Sequence, residues 1–121
     1  MANLNTIYMM MDEKKAVCLV KVGFTKELDV RLQAYKAHNP LAECVSIQKT
    51  QERSGRAVER AYFEELKHRG FNSVGLPPTR GRASEWFIIP YDNEFYKELK
   101  EKGLDAFKCA RGRKTYNLKA E

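Results

Sequence analysis

The sequence predicts an α+β domain: a small three- to four-stranded, mainly antiparallel sheet flanked by helices. Three observations carry this. Two apolar runs near the N-terminus are separated by only a short charged break, which suits an antiparallel hairpin. Segments bounded by helix-start and helix-stop residues alternate with the later apolar runs. The resulting order, β-β-α-β-α-β-α, is most simply satisfied when the helices cover one sheet.

Residues 4–11 read as the first strand and Asp12-Glu13-Lys14-Lys15 as the break. Ala16 to Gly23, rich in Val and Leu, reads as the second strand. Thr25 is the expected N-cap of a helix running to about Ala37, with Glu27 and Asp29 in its first turn. His38-Asn39-Pro40 stops that helix, because the residue before a proline is pushed out of the helical region. Ala42 to Lys49 is a third strand. Ser54 is the expected cap of a helix over 55–68 that Gly70 ends. Residues 72–83, with Gly75, Pro77, Pro78 and Gly81, are expected to form a loop. Glu85 to Ile89 is a short strand, and Tyr91 to Lys102 a final helix. The expected organisation is one domain over 1–105 and a basic tail over 106–121.

A chain of 121 residues has room for one modest core and not for two. No apolar run approaches the roughly 18 residues of a membrane helix, so no membrane association is expected. The N-terminus lacks a basic stretch followed by a long apolar run, which argues against a secretory signal. Cys18, Cys44 and Cys109 are odd in number, widely spaced and without a CxxC pair. That argues against a zinc site or a disulfide framework and suits a reducing cytoplasm, with the thiols as apolar filler. The net charge is +6, from 22 basic and 16 acidic residues. Such an excess favours a polyanion partner, since each cation that meets a phosphate releases a counterion.

The motifs are sharper. Thr6-Ile7-Tyr8 lies in the first strand, and Lys21-Val22-Gly23-Phe24-Thr25 ends the second. Arg31 follows on the next helix, ten residues after Lys21. Later come Ala57-Val58-Glu59-Arg60-Ala61 and Arg80-Gly81-Arg82-Ala83-Ser84-Glu85-Trp86-Phe87. In order and spacing, over about residues 5–90, these pieces resemble the GIY-YIG nuclease superfamily. The branch most similar is the phage- and bacterium-associated one, with a Lys-Ile-Gly-type second motif and a closing Glu-Trp-Phe. Thr6 replaces the glycine of the first motif, Lys21 the second tyrosine, and Tyr35 a histidine found in several members.

The resemblance implies metal-dependent hydrolysis of DNA phosphodiester bonds by an endonuclease, in a bacterial or phage-infected cytoplasm. It implies catalytic roles for Tyr8, Lys21, Arg31, Tyr35 and Glu59, with Glu59 holding Mg²⁺ or Mn²⁺. Magnesium suits a hard carboxylate oxygen and keeps several waters, so one carboxylate plus substrate phosphate suffices. Arg31 suits a phosphate clamp, because its planar fork meets two oxygens and it never deprotonates. Tyr8 is a candidate general base, and Lys21 shares that role if burial lowers its pKa. If Lys21 stays charged, it stabilises the transition state instead. Asn72, thirteen residues after Glu59, stands near an asparagine that supports the site in the family.

Each residue has a plainer reading. Tyr8 alone is a strand tyrosine at a core edge. Arg31 alone is a helix-surface residue paired with Glu27 at i, i+4, worth only about 0.3–0.5 kcal/mol. Arg31, Tyr35 and His38 share one helix face, which favours function for the first two and makes His38 a supporting candidate. Glu59 falls on a stripe with Phe63 and Leu66, which points it inward and favours it over its rival Glu64. Gly23 permits a tight turn or a close backbone approach. Glu85 is either a second acidic site residue or a surface strand residue, and Trp86 and Phe87 are core. Arg80 and Arg82 in the Gly/Pro loop, and Arg111, Arg113 and Lys114 in the tail near Tyr116, are candidate DNA contacts. A solubilising tail fits the same residues.

A lone core of this size has little room for a sequence-reading domain. Weak sequence specificity, selection of a DNA structure, or direction by a targeting partner protein is therefore expected. Cutting both strands with one site favours a homodimer or two successive nicks. The alternative from another class is a catalytically inactive GIY-YIG fold that binds nucleic acid or protein.

Overall fold

The computed structural model describes residues 4–51, 55–76 and 84–107. The elements are β1 (Leu4–Glu13), β2 (Val17–Thr25), α1 (Leu28–His38), β3 (Glu43–Gln51), α2 (Gly55–His68), β4 (Ser73–Leu76), β5 (Ser84–Pro90) and α3 (Glu94–Lys102). The strands form one sheet in the order β3-β1-β2-β5-β4, and every neighbouring pair is antiparallel. The α+β class expected from the sequence is the class observed, with five strands in place of three or four.

The β1–β2 hairpin sets the frame. Its register places Tyr8 opposite Gly23 and Met10 opposite Lys21. Successive side chains of a strand point to opposite faces, so the sheet has two distinct apolar surfaces. On one face Ile7, Met9, Met11, Cys18, Val20, Val22, Phe87 and Ile89 pack under Val58, Tyr62 and Leu66 of α2 and Phe95 and Leu99 of α3. On the other face Tyr8, Met10, Leu19 and Trp86 pack under Tyr35 of α1, with Leu28 and Leu32 beside it.

Several boundaries differ from the sequence reading. Thr25 ends β2 and is not the cap of α1; its Oγ1 accepts a hydrogen bond from Glu27 N at 3.0 Å, which turns the chain before the helix begins at Leu28. The segment read as a loop over 72–83 begins with β4, whose Val74 and Leu76 pair with Trp86 and Ser84. A four-residue edge strand with Gly75 at its centre gives little periodic signal. The last helix starts after Asn93, whose side chain accepts from Phe95 N at 2.8 Å, and not at Tyr91. The core also runs past residue 105, since Ala106 and Phe107 are fully buried. Ser54, residues 77–83 and the tail from 108 lie outside the described residues.

Cys18 is apolar filler, as expected: it is fully buried within the α2–α3 face. Burial, then the nearby Glu13 charge, pushes its thiol up from 9.0 to about 12. The native thiol should therefore resist iodoacetamide at pH 8 and react once the chain is unfolded in urea, as read by mass spectrometry of the peptides. The sign of the linkage follows from the raised pKa. The protonated thiol's contribution to stability is complete below the unfolded value of 9.0 and is lost as pH rises through about 12.

Candidate active site

The α1 face of the sheet carries the polar cluster. Tyr8 projects from β1 and is fully buried; Tyr35 projects down from α1 and is 2% exposed. The Tyr8 hydroxyl donates to the Tyr35 hydroxyl at 3.2 Å, and the ring centroids are 6.1 Å apart. Trp86 of β5 meets Tyr35 edge-on, with centroids 6.0 Å apart. Lys21 lies on the same face of β2 and is only 6% exposed. Its ammonium stands 5.9 Å from the centre of the Tyr35 ring. Arg31, one helical turn before Tyr35 on an exposed stretch of α1, lies near enough for its charge to act on both phenols.

Electrostatics couple these groups. Burial, then the Tyr35 hydroxyl, pushes the Tyr8 phenol far above its ordinary value, and Arg31 pulls only partly the other way. Burial opposes the charge on Arg31, but the hydroxyls of Tyr8 and Tyr35 together hold its pKa above the ordinary value. None of the described ion pairs involves Lys21 or Arg31. Two cations thus meet two phenols on one face, without a described carboxylate between them.

Gly23 is needed for a close approach and not for a turn. A Cβ there would lie 2.5 Å from Tyr8 Oη and 2.6 Å from Cζ. The glycine lets the Tyr8 ring tip lie flat against β2.

Glu59 stands on the helix that covers the opposite face. Its turn lies between Gly55, which rests on Asn5 and Phe24, and Phe63, whose ring is 5.6 Å from Phe87. Glu59 is half-buried, whereas Glu64 is exposed, and the fully buried acid of α2 is Glu65, paired with Arg69 at 2.8 Å. The sequence stripe pointed Glu59 inward; the helix turns it to the rim of its buried face and buries Glu65 instead. Glu85 is half-buried on the same face as Glu59, by alternation with Phe87. The β2–β5 register ends at Val20 and Phe87, while β5 goes on pairing with β4 to Ser84. The pairing of β2 with β5 thus stops short of Lys21 and Trp86.

The remaining candidates fall elsewhere. His38 is exposed at the end of α1. Asn72 is exposed, and its carbonyl accepts from Ile88 N at 2.9 Å, a ladder role. Arg80, Arg82, Arg111, Arg113 and Lys114 lie outside the described residues. Trp86, read from the sequence only as core, also forms the wall behind Tyr35, and no sequence signal separated the two roles. Among the described residues, no three His, Cys, Asp or Glu side chains gather to hold a metal. Magnesium needs fewer protein ligands, since it takes one or two hard carboxylates and completes its shell with water and phosphate. Glu59 and Glu85, on the same face, are the carboxylates that could serve as such ligands.

Fold and cluster together define a small α+β domain with a polar site on one face of an antiparallel sheet. The chain belongs to the T5orf172 domain family, a GIY-YIG-like, nuclease-type domain, whose model matches residues 5–108. No curated protein and no solved structure matches it. Among the described residues, no helix is long and apolar enough to cross a membrane.

Proposed function

We propose that this chain is a small metal-dependent DNA endonuclease, weakly sequence-specific or selective for a DNA structure. The observation that carries the reading is the nearly buried Lys21 beside Arg31, with no carboxylate among the described ion pairs of either. A cation withdrawn from water costs several kcal/mol unless an anion approaches it, and a phosphodiester supplies that anion. Arg31 would fork two phosphate oxygens, and Lys21 would neutralise the charge that grows as the bond breaks. The raised pKa of Tyr8 supports a phenol that keeps its proton, orienting Tyr35 and Arg31. Proton acceptance from the attacking water then falls to another group of the substrate complex. Glu59 would hold Mg²⁺ or Mn²⁺, an ion that would supply polarisation of the phosphate and a more acidic bound water.

The test is cleavage of plasmid, single-stranded and branched DNA with Mg²⁺, by wild type, Arg31→Ala and Glu59→Gln. Arg31→Ala should lower the rate by about 10²–10³-fold, the usual cost of one charge-stabilising donor, and Glu59→Gln should abolish the metal dependence. Equal activity in all three would refute this site. The burial of Tyr8 and Tyr35 favours a second reading, a binding module without chemistry. Salt-dependent DNA binding with no cleavage in any divalent metal would establish it.

A further inference from the structure

The sheet face beside the cluster continues, uncovered, onto the edge strand β3. Ile47 lies directly opposite Tyr8 in the β1–β3 ladder and is 52% exposed. Lys49, two residues along the same face, lies opposite Thr6 and is held there by a hydrogen bond from its ammonium to Thr6 Oγ1 at 2.8 Å. The register shifts between Met9 and Met10, and Val45, 42% exposed, falls at the irregularity. An exposed apolar side chain therefore stands about one strand spacing, ~4.8 Å, from the buried Tyr8. One cation, Lys49, stands along β3 from it, and a second, Arg31, acts at the Tyr8 hydroxyl, which reaches across the sheet over Gly23 of β2.

This alternation of charge, apolar contact and charge matches a nucleic-acid strand, with phosphates at the cations and a base between them. Aliphatic side chains beside a phosphate track act as wedges that lie against or between bases. A second copy of the chain is the rival occupant. The bulge and the edge lysine oppose it, since both interrupt strand-to-strand pairing at a sheet edge.

We infer that Ile47 and Lys49 form a base-contacting shelf for an unpaired DNA strand, and that the substrate is DNA with unstacked bases beside the scissile phosphate. The inference rests on the phosphodiesterase reading above and narrows its substrate. A duplex keeps its bases stacked and must pay to open them, whereas a flap or a single strand presents one to Ile47 directly.

Fluorescence anisotropy with a labelled duplex and a labelled 5′ flap tests this in Ca²⁺, using the full chain. A 2-aminopurine in the flap strand reports unstacking. Wild type should bind the flap about tenfold more tightly than the duplex, in line with burying the exposed part of one isoleucine side chain, and should brighten the 2-aminopurine. Ile47→Ala should lose the preference and the brightening while keeping duplex affinity. Lys49→Met should keep both and lower the slope of log K against log salt by about 0.7. Both positions are exposed, and thermal melts of each variant verify the fold. Flap preference unchanged in Ile47→Ala overturns the shelf and leaves the phosphodiesterase reading standing. A wild type that binds neither DNA overturns both. A change in sedimentation of Ile47→Ala makes the face an interface between copies and overturns the shelf.

Discussion

Replacing Trp86 with alanine should cost about 3–5 kcal/mol of folding stability, the range for removing a large buried aromatic ring. Trp86 is fully buried and heads the largest enclosed side chains of the protein. Its removal leaves a cavity behind Tyr35, the buried residue of α1. A small domain has only about 5–15 kcal/mol in total, so urea unfolding should show a midpoint moved far toward zero. Trp86→Phe separates size from polarity. The Trp86 Nε1 is buried with no hydrogen-bond partner among the described residues. Phenylalanine removes that unsatisfied donor along with part of the ring, so its loss should fall well short of the alanine value. Equal losses in the two variants would show that the wall behind Tyr35 is not set by ring volume.

Gly23→Ala should be the most damaging one-carbon change at the site. The new Cβ would sit 2.5 Å from Tyr8 Oη and 2.6 Å from Cζ. The ring has nowhere to go, because it is fully buried and faces Tyr35. Either β2 shifts or the ring swings and breaks the 3.2 Å bond to Tyr35. Overpacking of this kind costs about 1–3 kcal/mol, and the orientation of Arg31 over the phenols is lost with it. In a Tyr8→Leu background the clash disappears, so the double variant should be less destabilised than the sum of the singles. Strict additivity in urea unfolding would place the cost of Gly23→Ala elsewhere.

Much of the fold was legible because its signals are local. The β1–β2 hairpin follows from two apolar runs around Asp12-Glu13-Lys14-Lys15, and α2 from a long segment ended by Gly70. The shared face of Arg31 and Tyr35 follows from helical period alone. Other features had weak local signals. β4 is four residues with a central glycine, and it becomes a strand only because β5 offers an edge. The start of α1 depended on which nitrogen Thr25 would satisfy, a choice made by the turn that leaves β2.

The sequence by itself determined the class of the fold, the alternation that divides each strand between two faces, and the residue types able to meet a phosphate. Tertiary structure alone decided how those residues meet. Hairpin register, which propensity does not specify, set Tyr8 against Gly23 and Lys21 beside Tyr35. The packing of α1 on one face and α2 on the other put Glu59 across the sheet from the phenols. These are long-range contacts, made only once a helix or strand distant in sequence has packed, and no local pattern records them.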